Sequence, residues 1–223
     1  MIEELLSRPV ITQAVPAATL ETLQMVGAAT LLTAVLGLPL GLLLHASSPG
    51  GLLPRRTLHG ALGVVVNVGR SVPFIILALA AIPLTRLLVG TTLGWQAAVV
   101  PLTLGAVPFF ARVVESAVRE VHPGKVEAAL VMGASRTRVL VQVLVREALP
   151  ALVAGLTVTV VALVGYAAMA GAIGAGGLGF LAISYGYQRF DYVVMAVCVV
   201  LIVVVVQLVQ LAGDAVARRL DHR

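Results

Sequence analysis

Charge is scarce in this 223-residue sequence: Asp, Glu, Lys and Arg make up 11% of it, against about 25% in a soluble domain. Aromatic residues make up 4%, with one cysteine, Cys198, and one lysine, Lys125. A single cysteine excludes an intrachain disulfide, and Cys198, set in an apolar run, reads as a small packing residue. The residues that carry catalysis are missing as well. His45, His59, His122 and His222 fall in no metal-ligand spacing, and no HExxH occurs. There is no GxSxG elbow. A phosphate-binding loop would need a glycine five residues before Gly124-Lys125, where Arg119 stands. Acidic residues are nearly absent from the apolar runs, which argues against a proton relay. The chain is therefore expected to have no catalytic site and no metal, and any dependence on ATP must reside in a separate chain.

What is present is apolar: 60% of residues are hydrophobic and the mean hydropathy is +1.06. Such a composition calls for a bilayer as solvent, and about 20 residues of helix cross its hydrocarbon core. The reading is all-α, with five membrane segments: about Leu23 to Leu44, Leu62 to Leu84, Trp95 to Phe110, Leu152 to Ile173 and Val193 to Ala212. The chain begins Met1-Ile2-Glu3-Glu4, without the basic n-region of a signal peptide, so the first apolar segment is expected to be retained. Basic residues collect at cytoplasmic loops. Arg55, Arg56, Arg112, Arg119, Lys125, Arg136, Arg138, Arg146, Arg218, Arg219 and Arg223 fall on one side; Arg8, Arg86 and Arg189 fall on the other. This bias puts the N-terminus outside and the C-terminus in the cytoplasm. Residues 1–18 then form an extracytoplasmic segment, 19–212 the membrane domain with a loop at about 116–150, and 213–223 a cytoplasmic tail.

That loop reads as two short helices. Pro123 suits a first turn, where its missing N–H costs nothing, and Val126, Ala129 and Leu130 share a face. Gly133 can close the helix in a left-handed conformation, and Ser135 can cap the next one. Val139, Leu140, Val143, Leu144 and Val145 give the second helix its apolar side. Glu127 offers a charge to a basic partner, while Ala128 and Ala129 keep the surface small enough for close approach.

Gly174-Ala175-Gly176-Gly177-Leu178-Gly179 fits GxGxxG, but a dinucleotide site needs a preceding strand and an acid about 20 positions on. Here a membrane segment precedes it, and the nearest later acid, Asp191, lies 12 residues after Gly179. The run reads as a flexible turn at the outer end of a pore helix. Arg70 is the one charge well inside an expected segment, at a cost of about 2.5–3.5 kcal/mol. An interior partner such as helix-end carbonyls, snorkelling toward the cytoplasm and contact with substrate are the three readings of it. Pro73 should kink that segment. Met169 stands alone among Gly165, Ala167, Ala168, Ala170 and Gly171, small residues that let helices approach closely in lipid. It is either a gate or plain packing. Gly37-Leu38-Pro39-Leu40-Gly41 offers a second close-packing face.

The order of motifs from about Thr19 to Gly213 resembles the methionine ABC-importer permeases. Three blocks carry the resemblance. The first is Gly69-Arg70-Ser71-Val72-Pro73-Phe74-Ile75-Ile76, continuing to Pro108-Phe109-Phe110-Ala111-Arg112. The second is the Glu127 to Pro150 loop with Glu127-Ala128-Ala129, then Gly133-Ala134-Ser135. The third runs from Leu163-Val164-Gly165-Tyr166 through Met169 and Gly171 to the glycine run and Tyr185-Gly186-Tyr187. Where the family motif ends in Leu-Pro, this chain has Val145-Arg146, with Pro150 following.

The resemblance implies the type I importer permease fold in the bacterial cytoplasmic membrane. It implies a homodimer paired with two cytoplasmic ATP-binding subunits, which would hold ATP and Mg, and a methionine-binding lipoprotein outside. Glu127, Ala128, Ala129, Gly133, Ala134 and Ser135 would couple to the ATPase; Arg70, Ser71, Pro73 and Met169 would line or gate the path. The expected activity is import of methionine, L- and possibly D-, by alternating access, with no catalysis in this chain. A permease for another small amino acid or a dipeptide, and a stand-alone secondary transporter or channel, remain the alternatives.

Overall fold

The structure is a computed structural model that describes residues 8–221, and the described residues form helices joined by short turns, with no strand among them. After a π-helical turn at Val10–Ala14 come α1 (Val15–Ser47), α2 (Arg56–Ser71), α3 (Phe74–Ala80), α4 (Ile82–Val89), α5 (Trp95–Arg119) and α6 (Pro123–Val131). A helix over Arg136–Gly171, α7, follows. Then come α8 (Gly177–Leu181), which runs into a π-helical stretch at Ala182–Tyr187, and α9 (Tyr192–Leu220). The expected outer segment and tail lie partly outside the described residues, and His222 and Arg223 lie wholly outside them.

Among the described residues four helices, those opening at Val10, Trp95, Arg136 and Tyr192, are long and apolar enough to cross a membrane; α2 and α3 together make a fifth, bent by 105°. The second expected segment, Leu62 to Leu84, is therefore not one rod. Proline has no N–H and disfavours helix in the residue before it. Pro73 accordingly takes φ −56°, ψ 134°, and the chain restarts at Phe74. A second break at Ala81 precedes α4, whose first turn holds Pro83.

The other segments are longer than expected. The third does not stop at Phe110 but continues to Arg119. Glu115 lies three residues after Arg112 and four before Arg119, so one carboxylate pairs with both arginines, leaving one net positive charge, while Phe110, Ala111, Val114 and Val118 stay buried. The second loop helix is not a separate short helix either. Ser135 opens a helix that runs unbroken to Gly171, passing a π-helical stretch at Val139–Leu144 and accommodating Pro150. A wider turn of this kind keeps the backbone bonded while shifting the face it presents.

The described residues fall into two compact units, 8–31, Val72–Gly105 and Val160–Gln210 forming one, and Leu32–Ser71, Ala106–Thr159 and 211–221 the other. The first is centred on Val15, Ala18, Leu178, Leu181, Val194 and Cys198, so Cys198 does pack as expected. Phe74 stacks on Tyr166 there, ring centroids 4.7 Å apart. The core of the second includes Leu42, Phe110, Val114, Val118, Leu144 and Leu152. The Gly37–Gly41 face packs as read: a Cβ on Gly41 would sit 2.5 Å from the Ala111 carbonyl oxygen.

Candidate functional site

The loop between α5 and α7 is built from local rules. His122 caps α6 through Nδ1, which accepts from the Gly124 N–H at 3.1 Å, and Pro123 opens its first turn. Gly133 ends it at φ +84°. The Gly133 N–H donates to the Leu130 carbonyl and the Ala134 N–H to the Ala129 carbonyl, both at 3.0 Å. This is the paired bonding of a Schellman turn, whose left-handed residue favours glycine. Ser135 Oγ then accepts from the Arg138 N–H at 3.3 Å, capping α7.

The turn sorts the side chains. Ala129 is buried and Val126 half-buried, whereas Glu127, Ala128, Gly133 and Ser135 are exposed and Ala134 half-buried. Val131 and Met132, at the tip, are 88% and 82% exposed. Sequence reasoning passed over these two because α6 has no second apolar stripe to announce them.

Behind α6 lies a cavity of about 480 Å³ lined by His45, Leu52, Arg119, Glu127, Leu130 and Arg136 among others. Arg136 reaches across to donate to the Leu52 carbonyl at 3.1 Å, tying the start of α7 to the loop after α1. Lys125 pairs with Glu147. Arg119, in the cavity wall, shares Glu115 with Arg112: the carboxylate accepts from each at 2.6 Å, and Arg112 also donates to Asn67 Oδ1 at 2.9 Å. Sequence reasoning missed this cluster by ending the helix too early; the i−3, i+4 spacing of the charges was the available signal.

In the same unit, Arg70 ends α2 with its guanidinium carbon 5.9 Å from the Phe109 ring centroid. An aromatic face rather than helix-end carbonyls is thus its neighbour, a cation–π arrangement. Ser71 donates to the Asn67 carbonyl at 2.8 Å. Pro73 and Met169 fall in the other unit. Met169 is 42% exposed on α7 while its neighbours Ala167 and Ala170 are buried.

The glycine run offers no phosphate cradle. The Gly177 N–H donates to Glu21 Oε2 at 2.7 Å and the Leu178 N–H to Thr22 Oγ1 at 2.9 Å. The amides that a nucleotide would need are taken. Glu21 and Thr22 were also missed, because the first segment was expected to begin at Leu23. No group of three or more His, Cys, Asp or Glu residues able to hold a metal occurs among the described residues.

Long apolar helices joined at one point by a capped, glycine-turned helix with an exposed tip define a polytopic membrane protein. Residues 37–223 match the family described as binding-protein-dependent transport system inner membrane component, and the chain belongs to that family. It is thus a component of the bacterial cytoplasmic membrane. The chain is 53% identical over 206 residues to the probable D-methionine transport system permease protein MetI of Vibrio cholerae, covering 92% of each chain. It is 45% identical to the methionine import system permease protein MetP of Bacillus subtilis, covering 81% of this chain and 82% of that one. A solved structure of inward-facing conformations of the MetNI methionine ABC transporter aligns with TM-score 0.94 at 44% identity, over 97% of this chain and all of that one.

Proposed function

We propose that this chain is the permease of an ATP-driven ABC importer of methionine, working as a pair of identical copies with two separate ATP-binding subunits. The carrying observation is the 53% identity to a probable D-methionine permease over nearly the whole of both chains. ATP and Mg belong to the ATP-binding subunits, and a methionine-binding lipoprotein delivers substrate from outside. The N-terminus lies outside and the C-terminus in the cytoplasm, which puts loop 116–150 within reach of the ATPase. Residues 1–18, 19–212 and 213–223 divide into outer segment, membrane domain and tail.

The loop is the coupling element. Glu127 and Ala128 face outward on α6, the Gly133 turn with Ala134 projects Val131 and Met132 as an apolar tip, and Ala129 anchors the helix. An exposed apolar pair beside one carboxylate suits a groove with an apolar floor and a basic rim. Ser135 caps the helix that carries Met169. ATP binding draws the two loops together and the membrane helices re-tilt outward; hydrolysis resets them inward. Met169 of the two copies closes the outer end of the path, and Arg70, Ser71 and the Pro73 break belong to its inner wall and hinge.

The test is methionine uptake into proteoliposomes holding the chain, its ATPase and its lipoprotein. ATP-dependent uptake that is lost in Gly133→Val but kept in Gly133→Asn supports the reading. Uptake indifferent to ATP and to both substitutions overturns it.

A further inference from the structure

We infer that Glu21 and Thr22 form a positioning clasp for the outer gate, acting on Met169 through the glycine run; this rests on the gate reading of Met169 above.

A carboxylate on an apolar helix is costly unless bonded. Glu21 spends its charge on a backbone amide, accepting from Gly177 N–H, and the next residue, buried Thr22, accepts from Leu178 N–H. Two consecutive side chains of α1 thus take the first two amides of α8. Those amides would otherwise stand unbonded, since the opening N–H groups of a helix have no partner within it.

The hold is close as well as polar. Gly176 and Gly177 take φ +77° and +73°. A Cβ on Gly176 would lie 2.5 Å from Glu21 Oε2, and one on Gly177 2.6 Å from Thr22 Oγ1. A side chain at either position would press on the two groups that hold α8.

What α8 touches on its far side gives the clasp its purpose. A Cβ on Gly179 would sit 2.3 Å from the Ala168 carbonyl oxygen, and one on Gly171 2.3 Å from the Phe180 amide nitrogen. The turn of α7 from Ala168 to Gly171, which bears Met169, therefore rests backbone to backbone on α8. Bare backbones this close leave no side chain to absorb a shift, so displacing α8 displaces the turn. Glu21 and Thr22 set where α8 lies, and α8 sets where Met169 points.

The experiment uses the whole importer in proteoliposomes loaded with labelled methionine, without ATP or lipoprotein. The reading is passive efflux, with basal ATPase activity measured in parallel. Met169→Ala is the reference for an open gate. Glu21→Ala and Thr22→Val should each raise efflux about fivefold or more toward that reference. Glu21→Gln, whose amide oxygen still accepts from Gly177, should match wild type. A purely structural role would lower melting temperature and uptake together without raising efflux. If Met169→Ala leaks and neither Glu21→Ala nor Thr22→Val does, the clasp is overturned. Glu21→Gln leaking as fast as Glu21→Ala overturns the acceptor role. If Met169→Ala itself does not leak, the gate reading fails and the clasp loses its function with it. Should Glu21→Ala not fold, the isosteric Thr22→Val decides alone.

Discussion

Glu115 lies 2.6 Å from Arg112 and 2.6 Å from Arg119, its side chain 3% exposed, inside a helix otherwise apolar enough to cross a membrane. The pairings are unequal: Arg112 is 25% exposed and Arg119 65%. Removing one member of a buried pair costs about 3–5 kcal/mol because the other charge is stranded. Arg119 can hydrate, which brings the expected cost of Glu115→Ala to about 2 kcal/mol. Arg119→Ala, losing only a screened contact, should cost under about 1 kcal/mol. Thermal unfolding of both variants in the same detergent checks this, and equal losses would contradict it.

Gly133 sits at φ +84° with open space where a Cβ would be, so backbone strain and not crowding decides substitutions there. An L-residue in the left-handed region costs about 1–2 kcal/mol, and Asn visits it most readily. Gly133→Asn should keep most ATP-driven uptake. Gly133→Ala should reduce it several-fold and Gly133→Val should nearly abolish it, with melting temperature changed little. Loss in the order Asn, Ala, Val is the signature to look for.

The tip predicts a separable defect. Val131→Asp or Met132→Asp places a charge on a side chain more than 80% exposed, so the isolated subunit should melt as wild type does. Co-purification with the ATP-binding subunit should fall at least tenfold. Undiminished capture would show that the tip is not the docking surface.

Asp191 caps the approach to α9, accepting from the Val194 N–H at 3.2 Å and from Arg8, whose Nη1 donates at 3.2 Å. The Arg8 hydrogen bond, ahead of the smaller opposing effect of burial, holds its carboxyl below the usual carboxylate range. A depressed folded pKa contributes stability that is complete above the unfolded value of about 3.9 and is lost as pH falls through the folded value. The pair is partly exposed, so the contribution is under about 1 kcal/mol. Asp191→Asn should be slightly less stable than wild type at pH 7, the two converging below about pH 4. A constant difference down to pH 3 would refute the linkage.

The loop was the most legible part of the chain. Pro123, Gly133 and Ser135 act through backbone rules that operate over a few residues, so their types alone fixed a first turn, a left-handed stop and a cap. Helix length was harder. Hydropathy ends a segment where charges appear, and Arg112 to Arg119 looked like a loop because charges that pair with one another cannot be told from solvated ones without the fold. The break at Pro73 was expected as a kink but is a 105° turn, since the chain both loses a bond and extends there. Glu21 and Thr22 were illegible for another reason: their partners lie 156 residues away, and nothing local marks them.

The Gly133 turn has a consequence outside transport. It holds Val131 and Met132 almost wholly in water, the kind of surface that chaperones and proteases survey. On the coupling reading proposed above, a copy inserted without its ATP-binding partner would display that tip continuously, whereas an assembled one would hide it.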